Sequence, residues 1–183
     1  DNTPSGRWSQ TGLGSANAIA FGVSHAGKPT IIHHYSSTLN LLTPQGNTAI
    51  EYSLSANDLG SMMSSAVDSN GSQRVGHSFS AYSRIYHSVE STSGWTTIQV
   101  RDGIDLSQPV QIHIDSNDQS NLIYVDDQGQ VELATFNSSW SLTQLANTTI
   151  GDDFDSLILD NDNILLAQIV QSDWTTNTFL QVV

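Results

Sequence analysis

The phrases "VDSNGSQRV" (67–75), "IDSNDQSNLIYV" (114–125) and "LDNDNILLAQIV" (159–170) repeat one pattern along the chain. Each consists of an apolar residue, an aspartate, several turn-forming residues and a run with the composition of a β-strand. Their first residues are 47 and 45 positions apart, and a related phrase, "VSHAGKPTIIHHY", begins at Val23. A period of this length is typical of folds that repeat a small β-sheet.

The residues between the turns alternate with a period of two. In "PVQIHID" (109–115), Val110, Ile112 and Ile114 fall on one face of a strand and the polar residues on the other. "WTTIQV" (95–100) shows the same alternation. About sixteen short strands are predicted, and helical periodicity is nearly absent.

Stacking the repeats gives each of them four strands. The repeats cover about 16–55, 60–100, 109–146 and 154–183, and the last contains only three strands. Residues 7–13, "RWSQTGL", have the pattern of the missing strand. The sequence therefore predicts one all-β domain over residues 1–183. That domain is a small β-propeller of four four-stranded blades, in which the N-terminal strand closes the last blade and removes two open sheet edges.

Other arrangements fit the same repeats. Four blades could form half of an eight-bladed ring in a dimer, or the N-terminal strand could insert into a neighbouring subunit. A β-sandwich is the alternative that is not a propeller.

Composition restricts the partners of the protein. The 183 residues contain 5 Lys and Arg against 18 Asp and Glu, a net charge of -13, which disfavours binding to nucleic acid or anionic membranes. No apolar run is long enough to span a bilayer, and the absence of cysteine excludes disulfides. The first residue is Asp1 rather than methionine, and sequons occur at Asn70, Asn137 and Asn147. These features predict a secreted or cell-surface glycoprotein.

Two groups of residues raise the question of metal binding. His33 and His77 lie ten residues after the first residue of their repeats, and Tyr124 takes the same place in the third. They are candidates for lining a central channel. The aspartates of 115–120 and 160–163 lack the spacing and closing glutamate of a calcium loop, so turn formation is favoured for them. No metal and no cofactor are expected.

The sequence offers no positive evidence for catalysis. It contains neither G-x-S-x-G nor a phosphate-binding loop, and its glutamates fall in different repeats. A small secreted enzyme with a site at a channel mouth, using His33, His77 and Tyr124, stays as an alternative.

The stretch "NLIYVDDQGQVELATFNSSW" (121–140) resembles a blade of the secreted fungal fucose-lectin-type propellers. The matching residues are Tyr124, Asp127, Gly129, Glu132 and Trp140. In that family an arginine and the glutamate clamp sugar hydroxyls, while an aromatic ring stacks on the sugar. Here Leu122 stands at the arginine position, and Arg74 is one residue out of register in the second repeat.

The resemblance implies a non-catalytic glycan-binding module. Its candidate ligand-binding residues are Arg74, Trp95, Tyr124, Glu132 and Trp140. The alternative is a structural subunit of an extracellular polymer or surface layer that assembles by strand exchange. Expected partners are glycans or another extracellular protein, and a homo-oligomer is compatible with either function.

Overall fold

A computed structural model describes residues 19–23, 29–35, 38–43, 46–51, 59–79, 82–105, 108–145, 153–172 and 175–182. The described residues form fifteen β-strands and no α-helix. The strands are β1 (Ile19–Val23), β2 (Pro29–Tyr35), β3 (Thr38–Thr43), β4 (Gly46–Glu51), β5 (Leu59–Val67), β6 (Gln73–Phe79), β7 (Arg84–Ser91), β8 (Gly94–Asp102), β9 (Gln111–Ile114), β10 (Ser120–Val125), β11 (Val131–Asn137), β12 (Ser139–Gln144), β13 (Asp153–Ile158), β14 (Ile164–Ser172) and β15 (Thr175–Val182).

The strands form four separate antiparallel sheets in chain order. The first three sheets are β1–β4, β5–β8 and β9–β12, and the fourth contains β13–β15. This arrangement confirms the all-β class and the division of the chain into four repeated sheets. The predicted closing strand, residues 7–13, lies outside the described residues.

Neighbouring sheets pack through their first strands. β1 lies beside β5, β5 beside β9, and β9 beside β13. One apolar cluster fills each interface, with Ile32, Leu122 and Leu166 among the fully buried members of the three. Over the described residues the four sheets do not close into a ring.

Register in the first hairpin of each sheet decides which neighbour a side chain faces. Along β10, Leu122 and Tyr124 pack toward the second sheet, whereas Ile123 and Val125 pack toward the fourth. All four are buried, because β10 lies between the apolar clusters of two interfaces. Successive side chains of a strand point to opposite faces, so a slip of one residue would exchange the two sets.

The turn aspartates fix this register by accepting backbone hydrogen bonds. Oδ1 of Asp68 accepts the N–H groups of Asn70 and Ser72 at 3.0 and 2.9 Å. Oδ1 of Asp115 accepts two N–H groups in the same way, and Asp126 repeats the arrangement in the β10–β11 turn. Short polar side chains that bond the backbone two and four residues on are typical of such turns.

The fourth repeat departs from the sequence-based alignment by one residue. Val67 pairs with Gln73 and Ile114 with Ser120, and the equivalent pair in the fourth sheet is Ile158 with Ile164. The repeat therefore begins at Ile158, and Leu159 occupies the place of the turn aspartate. The expectation that Leu159 begins this repeat is wrong, because an apolar residue stands where the other turns carry a carboxylate.

A second aspartate joins the turns of neighbouring sheets. Oδ1 of Asp118 accepts the N–H of Ser69 at 2.8 Å, and Oδ2 accepts its hydroxyl at 2.5 Å. Asp162 accepts the same two bonds from Ser116, at 2.8 and 2.5 Å. The serine bonds lower the pKa of both carboxyl groups. We name these pairs the serine–aspartate clamps. They give the aspartates a structural role, in agreement with turn formation.

Replacing Asp126 by alanine should destabilise the protein. Asp126 is buried, and its Oδ1 accepts the N–H groups of Gln128 and Gln130 at 2.9 and 2.8 Å. Leaving partly buried donors unpaired costs about 1–3 kcal/mol, which urea unfolding measures directly. Asp160→Ala is the matched control, since Asp160 is exposed and its loss should change the free energy of unfolding by less than about 0.5 kcal/mol. Equal effects of the two changes would contradict the turn assignment.

Candidate ligand-binding site between the second and third sheets

An ion pair crosses the space between the second and third sheets. Arg101 is on β8, and its Nη2 lies 3.3 Å from Oε1 of Glu132 on β11. The arginine is about one-third exposed and the carboxylate is mostly buried, at 36% and 13%. The pair thus places a fixed charge of each sign at the edge of the interface, and the arginine is the more exposed of the two side chains. Arg101 was not predicted as a site residue, because it is far from Glu132 along the chain.

Tyr124 lies beside Glu132, with which it pairs across β10 and β11. Burial, and then the negative charge of Glu132, raise the pKa of the Tyr124 hydroxyl well above its ordinary value, so the phenol stays protonated. The hydroxyl and the carboxylate are neighbours, but neither the Tyr124 hydroxyl nor Oε2 of Glu132 completes a well-formed hydrogen bond among the described residues. Unpaired buried polar atoms are rare in folded proteins and mark places where water or a ligand can bind.

The far end of the same face carries an aromatic cluster. Trp140 on β12 meets the ring of His87 edge-on at 5.1 Å and the ring of Phe136 at 5.1 Å. His87 is fully buried, and no described group pairs with either of its ring nitrogens or with Nε1 of Trp140. The cluster is therefore an apolar surface that contains three polar atoms without described partners.

The ion pair and the aromatic cluster are two ends of one face. Glu132 and Phe136 are four residues apart on β11, which at about 3.3 Å per residue separates them by about 13 Å. Leu142 lies between them on β12, paired with Ala134, and is 41% exposed. We refer to the surface formed by Arg101, Glu132, Leu142 and Trp140 as the inter-sheet groove.

The structure does not bring all five predicted ligand-binding residues together. Tyr124, Glu132 and Trp140 share the face toward the second sheet. Trp95 packs instead against the apolar cluster between the first and second sheets. Arg74 does face the third sheet, but its guanidinium donates to Asp68 at 2.8 Å and to the hydroxyl of Ser120 at 3.1 Å. Arg74 therefore links two sheets, and Arg101 is the arginine beside Glu132.

His33, His77 and Tyr124 do occupy equivalent positions on the second strand of their sheets. The register places them opposite Asn40, Tyr86 and Glu132. All three side chains are buried, in the packing between sheets. His77 bonds the Ser88 hydroxyl through Nε2 at 3.1 Å and stacks on Tyr86. Among the described residues there is no group of three or more metal-binding side chains.

Two of the three sequons are in the described part of the chain. Asn70 and Asn137 are exposed in turns or at a strand end, and Asn147 lies outside the described residues. Use of these sequons stays a prediction. Within the described ranges, no helix has the length and apolar character needed to cross a bilayer.

Comparison with known proteins gives a likeness of fold. No protein-family model matches the sequence, and no curated protein matches it significantly. Among solved structures, AofleA from Arthrobotrys oligospora superposes with a TM-score of 0.65 at 11% identity, over 90% of this chain and 52% of that chain. Virginiamycin B lyase from Staphylococcus aureus superposes with a TM-score of 0.53 at 15% identity, over 88% and 54%.

An endo-arabinase from Bacteroides thetaiotaomicron also matches, with a TM-score of 0.50 at 9% identity over 99% of this chain and 78% of that one. At such low identities the comparisons establish the fold alone. The chain spans about half the length of the first two of these proteins.

Acidification should destabilise the protein through its buried histidines. Burial lowers the pKa of His77, and burial followed by the positive charge of Arg74 lowers that of His87, each from 6.5 to about 4. Between pH 4 and pH 6.5 each of these imidazoles is therefore protonated in the unfolded chain and neutral in the folded chain. Stability is therefore full above pH 6.5 and falls as the pH drops toward 4, by at most about 3 kcal/mol for each histidine.

The contribution of one histidine can be isolated by substitution. In His87→Phe, which keeps an aromatic ring against Trp140, the loss of stability between pH 6.5 and 4 should be smaller than in the wild type. Urea unfolding at several pH values measures the two slopes. Identical slopes would show that His87 does not titrate in this way.

Proposed function

We propose that this chain is a non-catalytic glycan-binding module and that its inter-sheet groove holds the saccharide. The observation that carries the proposal is the Arg101–Glu132 pair, which presents a charged donor and a charged acceptor 3.3 Å apart beside unpaired polar atoms. Sugar hydroxyls both donate and accept hydrogen bonds, and bonds to charged partners are the stronger ones. Leu142 and Trp140 add the apolar surface on which the C–H faces of a sugar pack.

The dimensions of the groove favour an extended saccharide. Glu132 and the Trp140 cluster are separated by about 13 Å along the sheet, so a single sugar ring cannot contact both. A ligand that uses the whole groove must contain more than one residue. Weak binding of monosaccharides and tighter binding of longer chains follow from this spacing, because the second contact is then intramolecular.

Independent support comes from the resemblance of residues 121–140 to a blade of the fungal fucose-lectin type. The arginine position of that pattern holds Leu122, which packs into the core between the sheets. Arg101 offers a donor for the same glutamate from the neighbouring sheet. In this proposal the clamp is built from two sheets, so it depends on their packing as well as on the residues.

Substitutions in the groove should weaken glycan binding without unfolding the chain. Arg101→Ala and Glu132→Gln each remove one charged partner, which costs about 1.5–3 kcal/mol, or about ten- to a hundred-fold in affinity. Trp140→Phe should weaken binding of longer saccharides more than that of monosaccharides. A glycan array followed by calorimetric titration measures each effect.

Arg84→Ala is the matched control, since Arg84 is a β-strand arginine paired with Asp102, and its side chain bonds Tyr86, which packs toward the first sheet. It should retain wild-type affinity. Absence of binding by the wild type at millimolar concentrations across a broad set of glycans would exclude this function. An assembly role would then be the better explanation of the fold.

The proposal includes a propeller arrangement of the sheets and secretion of the protein. The fourth sheet has three described strands where the others have four, and residues 7–13 have the pattern of the missing one. As the closing strand of the fourth sheet, in the same chain or in a neighbouring subunit, this segment would cover an edge that otherwise exposes unpaired backbone groups. The sequons and the net charge of -13 support an extracellular location.

Deleting residues 1–13 should lower the melting temperature and promote aggregation, because the edge of the fourth sheet would then stay open. Differential scanning calorimetry and light scattering measure these effects. An unchanged melting temperature together with unchanged size in solution would show that residues 7–13 do not complete this sheet.

A further inference from the structure

The first and last sheets each expose a large apolar side chain on their first strand. Phe21 on β1 is 73% exposed and Leu157 on β13 is 57% exposed. In the second and third sheets the first strand is instead packed on both sides by its neighbours. Phe21 and Leu157 therefore mark the two ends of the row of packed sheets, where the first strand has a neighbouring sheet on one side only.

Register places the two residues in defined positions of the repeat. Val23 pairs with Pro29 and Ile158 with Ile164, which aligns the first hairpins. Phe21 lies two residues before Val23, and its equivalents are Ser65, Ile112 and Ser156. Leu157 lies one residue before Ile158, and its equivalents are Gly22, Ala66 and His113.

These two positions meet wherever consecutive sheets pack. Between the first and second sheets, a Cβ on Gly22 would lie 2.9 Å from the Ser65 hydroxyl oxygen. Between the third and fourth, Nε2 of His113 and the Ser156 hydroxyl are 2.7 Å apart.

The interface of the second and third sheets follows the same rule. There Ala66 packs against the apolar cluster that contains Ile112. In the first and last of these interfaces the Leu157 position contacts the Phe21 position of the following sheet, and in the middle one it packs against the cluster that contains that position. Among the described sheets, only Leu157 and Phe21 themselves have no such neighbour.

We infer that the Leu157 face of one copy of this chain packs against the Phe21 face of a second copy. Two copies joined in both directions make a closed ring of eight sheets with two identical seams. Each seam repeats the contact that already joins consecutive sheets within the chain. An apolar pair suits a seam between chains, because it needs neither the directional bond of His113 with Ser156 nor a serine–aspartate clamp.

A second copy explains the seam better than closure within one chain. The chain covers 52% of the length of AofleA, 54% of that of the virginiamycin B lyase and 78% of that of the endo-arabinase, so each of these folds continues beyond the matched part, and the first two by about the length of this chain. In a fold of that size the two ends of the row of sheets are separated by the remaining part, which a second copy of equal length fills. This inference does not rest on glycan binding, since the inter-sheet groove lies within one chain.

The mass in solution tests the inference. Sedimentation equilibrium of the 183-residue chain, at 0.15 M salt and again at about 0.5 M to screen the charge of -13, should give twice the 19.8 kDa mass of the chain. Phe21→Asp or Leu157→Lys should each weaken the dimer by about ten- to a hundred-fold, because a charge replaces a buried apolar group at both seams.

Circular dichroism checks that both variants fold, as substitution of such exposed side chains allows. Tyr82→Asp, at a residue 60% exposed outside both faces, is the control and should leave the dimer intact.

Direct pairing is tested by combining the two changes. A chain with both Phe21→Asp and Leu157→Lys places opposite charges at each seam and should recover part of the dimer that either change alone loses. Independent, additive losses would contradict contact between the two positions.

The absence of cysteine allows a second, geometric test. Chains with Phe21→Cys and chains with Leu157→Cys, mixed in equal amounts and treated with a short thiol cross-linker, should yield a covalent dimer. A chain that carries both cysteines and cross-links only within itself would instead show closure by one copy. That result, a monomeric mass at all concentrations, or species larger than a dimer would each overturn the ring of two copies.

Discussion

The packing of the four sheets depends on the register of the first hairpin in each sheet. A strand between two sheets contributes alternate side chains to two different interfaces, so an error of one residue would move every side chain to the wrong neighbour. The chain holds this register with a carboxylate in the turn. Asp68 and Asp115 each accept two backbone N–H groups across the turn, which allows little freedom in how the strands leave it. The serine–aspartate clamps extend the same control from one sheet to the next.

The interfaces are less uniform than the repeat suggests. The first contains Ile32 and Val75 in an apolar cluster, yet it also buries His77. The second buries His87 with both ring nitrogens unpaired by described groups, and it carries the Arg101–Glu132 pair at its edge. Burying such groups costs stability unless they are paired. The second interface combines unpaired polar atoms, a charged pair and an exposed apolar surface. Among the described residues no other interface has all three, and together they favour a surface that binds a ligand.

Both proposals rest on the same physical property of the fold, which is that neighbouring sheets contact each other through equivalent positions. Substituting residues at one such contact changes what that interface does while the other interfaces stay intact. A charged pair makes the second interface a candidate site for sugars. An exposed apolar residue at each end makes the outer faces candidates for association. A change at one interface can therefore alter binding there while the other interfaces keep the fold stable, because each interface has its own cluster of buried residues.

The sequence by itself determined the strands, the turns and the fourfold repeat. Alternation in "PVQIHID" and the recurrent aspartates report local geometry, and local geometry is encoded within a few residues. The alignment failed only at Leu159, where an apolar residue replaces the turn carboxylate and hides the start of the repeat. Tyr124, Glu132 and Trp140 were candidates from one repeat, and they share a face because they belong to one sheet.

Tertiary structure alone decided which residues from different sheets meet. Trp95 and Trp140 begin equivalent strands, yet each faces the preceding sheet, so they lie in separate interfaces. Arg74 was the expected partner of a sugar, but its guanidinium is bonded to Asp68 and Ser120. Arg101 became the partner of Glu132 through the packing of two sheets, a contact between residues 31 positions apart that no local pattern encodes. Contacts of this kind depend on the distance and angle between sheets, which are set by the sum of many buried side chains rather than by any short stretch of sequence.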